Sequence, residues 1–253
     1  MAVEGKNPDV PDSCFADRIG RFLDLTQPER VALAALEDRP RTVRRGTPLV
    51  RANDRGTELF MLRRGMLMNF VLLDDGSRQI LGFHFPGDML GWPTLAFRSA
   101  PEALVAVTEA EVCSFDRAAL IELASERPRL FAAITAFNQM ERQALVDRLA
   151  GMGRTSARGR VAALLIEIRN RMRRVDATIT NRFILGLTQE EIGDATGLTA
   201  VHVNRMLRQL EEDGLIAREG GRVTLIDEDR LAHVANYIDR NDAVDLTWLA
   251  RLR

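Results

Sequence analysis

The chain has 253 residues, 46% hydrophobic and 28% charged, with a formal net charge of −1, a globular composition with room for one large domain or two ordinary ones. No apolar run approaches the roughly eighteen residues of a membrane-spanning helix, and the start, MAVEGKNPDVPDS, lacks the basic region and apolar core of a secretory signal, so no membrane association is expected. Two cysteines, Cys14 and Cys113, give no disulfide framework, which makes the cytoplasm the expected compartment, and the near-zero charge argues against a strong non-specific polyanion binder.

Residues 1–16 hold Pro8 and Pro11 among polar residues and are expected to be a flexible N-terminus. Helical patterns follow: Ile19, Phe22 and Leu23 share one face, and Val31, Leu33, Ala34 and Leu36 form a second helix opened by Pro28. From Pro40 the period changes to that of strands. Short strand-like runs at 41–46 (strand and turn), 49–50, 59–62, 66–73, 77–85, 103–107 and 111–115 are separated by turns such as Asn53-Asp54-Arg55-Gly56 and Asp74-Asp75-Gly76. Many short strands at regular spacing predict a barrel or jelly roll.

Asp116 then caps a helix over 117–126, and Pro128 opens the longest helix, 128–151. Its apolar positions Leu130, Phe131, Ile134, Phe137, Met140, Ala144, Leu145 and Leu149 recur near heptad spacing, interrupted by Asn138, Glu141 and Arg148, which fits a seam between two protomers in preference to the alternative of a helix packed within one domain. Gly151-Met152-Gly153 is the expected hinge. The helix over 156–174 buries Val161, Ala162, Leu164, Leu165 and Ile168, and its other side carries Arg158, Arg160, Arg169, Arg171, Arg173 and Arg174. That side is expected either to be solvated or to touch phosphates.

Residues 187–210, LTQEEIGDATGLTAVHVNRMLRQL, form two helices around a tight turn. Thr188 with Glu191 makes a capping box, Gly197 suits a left-handed helix end, and Thr199 caps the second helix. Val203, Met206, Leu207 and Leu210 are its apolar stripe, leaving Ala200, Val201, Asn204, Arg205 and Arg208 outward. After Gly214, the runs 216–219 and 222–226 form two strands around Gly220-Gly221, a wing. A helix-turn-helix followed by a wing points to DNA binding in a major groove, over the alternative of a helical hairpin in a core. A terminal helix at 229–238 and an anchor at Trp248-Leu249 complete the chain.

Both halves, in this order, resemble the Crp/Fnr superfamily of bacterial transcription regulators. The carriers are Gly65 after a buried strand, Asp75-Gly76, the run FHFPGDMLG (83–91) and the stretch LTQEEIGDATGLTAVHVNRMLRQLEEDGLI (187–216). The resemblance implies an α+β chain: a cyclic-nucleotide-binding-like β-roll (jelly roll), a long dimerisation helix and a C-terminal winged helix-turn-helix. The expected division is a flexible N-terminus at 1–16, a β-roll sensor at 17–127, a dimerisation helix and hinge at 128–152, the winged domain at 153–240 and a tail at 241–253. It implies a homodimer on a palindromic promoter site, with double-stranded DNA and RNA polymerase as partners. The candidate DNA-contacting residues are Thr188, Thr199, Ala200, Val201, His202, Asn204, Arg205 and Arg208. Arg205 matches the family's guanine-reading arginine, whereas Val201 and His202 stand where its best-known members have Glu and Thr. Arginine can fork onto guanine and valine can pack a thymine methyl, but carboxylate readout of cytosine is gone.

The effector pattern departs further. Gly91 is followed by Trp92 where the cyclic-AMP branch resembles Gly-Glu, so the ribose hydrogen bonds are lost. Arg98-Ser99-Ala100 looks like the phosphate-binding run, but Pro101 and Glu102 intrude after it. The candidate effector residues are Phe60, Phe70, Phe83, Trp92, Arg98 and Ser99, with the aromatics lining an apolar pocket. No cofactor, metal or catalytic group is expected. Cys14 cannot supply the thiolates of an iron–sulfur cluster, and the three histidines, His84, His202 and His233, are scattered. A cyclic nucleotide and a haem on His84 are the alternatives left open, and a ligand-free regulator is the rival within the class. An enzyme with a fused DNA-binding module is the rival outside it, without a nucleophile–base pair to support it.

Overall fold

The computed structural model describes residues 12–56 and 58–251. The stretch expected to be loose splits: 1–11 lie outside the described residues, whereas the chain from Ser13 onward is ordered. Ser13 caps α1 (Cys14–Ile19), and the buried Glu37 carboxylate accepts from the Ser13 hydroxyl at 2.6 Å and from the Cys14 and Phe15 amides. Those bonds, with Phe15 and Ala16 buried, hold what Pro8 and Pro11 suggested would be free. Helix α2 (Gln27–Ala35) starts at a Thr26–Glu29 capping box, and Arg129 clamps the Glu29 carboxylate from below.

Two antiparallel four-stranded sheets make the roll. One has the order β1 (Arg41–Val43), β8 (Ala110–Asp116), β3 (Glu58–Arg64), β6 (Met89–Leu90). The other has β2 (Pro48–Val50), β7 (Ala103–Ala106), β4 (Leu67–Leu72), β5 (Arg78–His84). Val43, Phe60, Leu62, Leu67, Leu104 and Val112 fill the space between them. The pairing of β4 with β5 carries an irregularity between Asn69 and Phe70. There Asn69 faces Gly82, and a Cβ on Gly82 would stand 2.9 Å from the Asn69 side-chain oxygen. Glycine is what lets the Asn69 amide lie across the neighbouring strand.

Helix α3 (Arg117–Glu126) starts at its Asp116 cap, and α4 (Pro128–Arg154) follows. The expected hinge at Gly151–Gly153 is instead helical. The Thr155 amide and hydroxyl both donate to the Gly151 carbonyl, closing the last turn, and the chain reverses at Thr155–Ser156. A glycine inside a helix costs only about 1 kcal/mol, so satisfied hydrogen bonds carry the helix past both. Helix α5 (Ala157–Val175), capped by Ser156, runs back along α4, with Arg148 on Glu167 and Glu141 on Arg171.

The winged domain adds β9 (Arg182–Ile184), α6 (Gln189–Thr196), α7 (Ala200–Glu212), β10 (Ile216–Glu219), β11 (Arg222–Leu225) and α8 (Glu228–Ala235). Its three-stranded sheet has the order β10-β11-β9. Its core of Val161, Leu165, Ile192, Val203, Leu207 and Leu231 is continuous with Met66, Met68, Ile80 and Phe83 of the roll. Helix α6 lies on β5: Arg78 Nε donates to the Asp194 carboxylate at 2.8 Å, and the Gln79 amide donates to the Asp194 carbonyl at 2.7 Å. The tail returns to the roll side. Arg240 grips Asp147, and Leu246 and Leu249 are buried beside α1–α4, with Arg129 donating to the Leu249 carbonyl. Trp248, expected to share the anchor, is half exposed; Leu246 takes its place. Among the described residues no helix is long and apolar enough to cross a membrane.

Candidate nucleic-acid interface and roll cavity

Local chemistry positions the two helices of the interface. The Thr188 hydroxyl accepts from the Glu191 amide and the Glu191 carboxylate accepts from the Thr188 amide, so the start of α6 is closed reciprocally. Gly197 ends α6 at φ +67°, in the left-handed region. Thr199 caps α7 through the His202 amide. Val203, Met206, Leu207 and Leu210 are buried, which rotates the opposite face of α7 to solvent. Val201 is 82% exposed, Arg205, Arg208, Thr188 and Thr199 are exposed, and Ala200, His202 and Asn204 are half-buried. Arg205 makes no hydrogen bond or ion pair among the described residues; Glu212, a nearby acid, leaves it free.

The arginines of α5 behave otherwise. Arg158 pairs with Asp213, Arg160 donates to the Thr196 and Thr155 carbonyls, Arg169 forks onto Glu228, and Arg174 holds Asp239. Arg169 is 3% exposed. Neither a solvated face nor a set of free phosphate contacts describes them; they tie α5 to α6, α7, α8 and the tail. Arg173 alone of the six is exposed and makes no hydrogen bond or ion pair among the described residues, though its charge acts on Glu228.

In the roll, a cavity of about 270 Å³ opens between β4, β5, the segment 89–94 and α4. Phe83 and Trp92 line it; Phe60, Phe70, Arg98 and Ser99 do not. Phe60 belongs to the other sheet, beneath the Arg41 guanidinium. Phe70 packs toward the winged domain under Arg78, and Arg98 is exposed. The polar wall is one the sequence did not announce. Asn69 Nδ2 donates to Glu102 at 3.0 Å, and Asn69 Oδ1 meets His84 Nε2 at 3.1 Å. His84 Nδ1 stands 3.8 Å from the buried Asp88, which accepts from Arg18 and Arg171. Arg171 also forks onto Glu141, whose carboxyl the two guanidiniums hold far below the usual range against the opposing effect of burial. Burial pushes the Glu102 carboxyl up and the His84 imidazolium down. Only the Pro101-Glu102 intrusion hinted at this wall, because its members come from β4, β5, the 86–88 turn, α4 and α5.

The roll and the winged domain each match a known domain. The cyclic nucleotide-binding domain matches residues 40–127, and the Crp-like helix-turn-helix domain matches residues 159–234. The chain belongs to the Crp/Fnr superfamily. The transcriptional activator protein Anr of Pseudomonas protegens is 29% identical to this regulator over 213 residues, 84% of this chain and 87% of Anr. The fumarate and nitrate reduction regulatory protein of Escherichia coli is 25% identical over the same share of this chain and 85% of its own. Among solved structures, FixK2 from Bradyrhizobium japonicum superimposes with a TM-score of 0.70 at 25% identity, covering 79% of this chain and 98% of FixK2. TTHB099 of Thermus thermophilus shares the fold, with a TM-score of 0.63 at 22% identity over 78% of this chain and 97% of its own. This Crp/Fnr member is thus a DNA-binding regulator with a roll, a long helix and a winged helix-turn-helix. Among its described residues no group of three or more His, Cys, Asp or Glu could hold a metal ion. Cys14 is bonded to the Arg63 carbonyl and Cys113 to that of Glu37, with both thiols pushed up by burial.

Proposed function

We propose that this regulator is a cytoplasmic homodimer that reads a palindromic promoter site through α7, recruits or obstructs RNA polymerase there, and answers to an effector other than cyclic AMP. The observation that carries the reading is Arg205, a guanidinium left bare on the outward face of a buried-backed helix. Val201, His202, Asn204 and Arg208 share that end of the helix, while Thr188, Thr199 and Ala200 at the helix starts suit phosphate contacts. Dimerisation is supported by the second half of α4, where Leu145, Val146 and Leu149 are 46%, 41% and 70% exposed, whereas Leu130, Ile134 and Phe137 of the expected seam are buried in the protomer's own core. An apolar stripe of that kind on a long helix is a seam awaiting a second copy.

The roll does not fit cyclic AMP. Arg98 and Ser99 stand outside the cavity, Trp92 occupies the wall where the family pattern has a ribose-binding carboxylate, and Arg148 and Arg171 are already engaged by Glu167, Asp88 and Glu141. Selection of bound sites from a random DNA pool, with light scattering of the free and bound protein, tests the reading. The expected result is an enriched inverted repeat bound by two chains. Failure to enrich any sequence, or a monomer on its selected site, overturns it.

A further inference from the structure

The most informative group in the roll cavity is a carboxylate. Glu102 stands on the chain entering β7, half-buried, and Asn69 is its one hydrogen-bond partner among the described residues. One amide N–H leaves most of a carboxylate's acceptor capacity unfilled, and a half-buried carboxylate short of donors is costly. Val50, Phe83, Leu90, Trp92, Pro93 and Leu104 face the same space, whose polar lining comes mainly from α4 and α5 on the far side. The site is built rather than accidental. Gly82 clears the room for the Asn69 side chain, and the Asn69–Phe70 irregularity aims it. Because the ionised Glu102 can only accept, it fixes the Asn69 amide with Nδ2 outward and Oδ1 toward His84, which must then donate from Nε2. On this wall the His84 Nε2–H and one Asn69 N–H are engaged, and Arg148 and Arg171 behind it are bound to carboxylates. Arg142 and Asn138 of α4 also line the cavity, Arg142 exposed to solvent, so the charged group that burial leaves short of partners is the Glu102 acceptor.

We propose that the roll cavity receives a small, flat, largely apolar molecule that presents an ammonium or N–H donor to Glu102, the opposite polarity from a nucleotide phosphate. This rests on the reading of the roll as an effector site for something other than cyclic AMP. A cavity of about 270 Å³ lies just below the usual range of ligand pockets, roughly 300–1,000 Å³, which favours a single-ring molecule. Glu102 supplies the charge selection, and the ring lies among Phe83, Leu90 and Trp92. Arg142, on the rim from α4, is exposed and stays in water.

The matched pair phenethylamine and hydrocinnamate tests it: one phenyl ring, similar length, opposite charge. Binding is read by calorimetry and by tryptophan fluorescence, with cyclic AMP as a third ligand. Phenethylamine should bind the full-length protein at least about tenfold more tightly than hydrocinnamate, or about 1.4 kcal/mol. Glu102→Gln, which keeps the shape and removes the charge, should erase that preference while its melting temperature stays near that of the wild type. Equal or tighter binding of hydrocinnamate or cyclic AMP overturns the proposal, as does a preference that survives in Glu102→Gln. Absence of phenethylamine binding at millimolar concentration overturns it too. Site selection from random DNA, run on the same samples, keeps the two readings apart: retained selection with reversed ligand preference strikes only the ligand proposal, and lost selection strikes only the reading as a regulator.

Discussion

Along α7 the guanidinium of Arg205 is exposed and makes no hydrogen bond or ion pair among the described residues, whereas Arg148 and Arg171 at the roll cavity, and Arg18 beside them, are bound to carboxylates, Arg18 and Arg148 to carbonyls as well. On the proposed reading, the two regions carry the same residue type for opposite purposes. A readout arginine must reach a base edge at little desolvation cost, so it is kept exposed and free. A structural arginine between domains must be buried, so it is surrounded by Asp88, Glu141 and Glu167. An arginine therefore declares its role by its partners rather than by its place on a helix face.

The strongest way to break that contrast is at Asp88. It is 3% exposed and accepts from both Arg18 and Arg171. Removing one member of a buried ion group leaves the others uncompensated, at about 3–5 kcal/mol. Asp88→Ala should lower stability in urea by that order, and a loss below about 1 kcal/mol would show the network to be solvated.

Arg205→Ala should do the reverse, leaving the melt of the free protein within about 0.5 kcal/mol while removing roughly 1–3 kcal/mol of discrimination between the selected site and random DNA. Comparison of binding to both DNAs at one salt concentration reads this. Equal discrimination in the variant would return Arg205 to the class of bracing arginines.

The same contrast explains what could be read in advance. The caps Asp116, Thr188 and Thr199 and the wing at Gly220-Gly221 are set by residues within four positions of each other, and the pattern places them. The outward position of Arg205 was legible for the same reason. The wall of the roll cavity and the seat of α6 on β5 were not, since Asn69 meets Glu102 across 33 residues and Arg78 meets Asp194 across 116. The arginines of α5 look like a charged face because no local signal marks partners on other elements. Aromatic residues named for a pocket, Phe60 and Phe70, went to other layers because alternation along a strand does not say which neighbour covers each face. Leu249 was legible as an anchor, but not that α4 receives it.

The smallest effect comes from His84, at the joint between the cavity wall and the arginine network. Burial lowers its pKa first; the arginines Arg171 and Arg148 push the same way, and Asp88 and Glu141 push back. In the unfolded chain the imidazole takes a proton near pH 6.5, and in the folded chain it does so only at lower pH. Between those points the unfolded state holds more protons, so stability falls as pH falls. The contribution is full above about pH 6.5 and is lost on acidification toward the folded value, by at most about 1.4 kcal/mol per pH unit. The carboxylates with lowered values, Glu29, Glu141 and Glu228, lose theirs as pH falls through the ordinary carboxylate range and below it, whereas the raised Glu102 carboxyl adds stability on acidification. These terms are common to the wild type and a His84 variant, so urea melts of both at pH 7.5 and 5.5 isolate the histidine. The wild type should lose stability across that interval and His84→Gln, whose amide can still donate to Asn69, should lose markedly less. An equal loss in both proteins would place the titrating group elsewhere, and a gain in the wild type would mean that Asp88 and Glu141 outweigh burial.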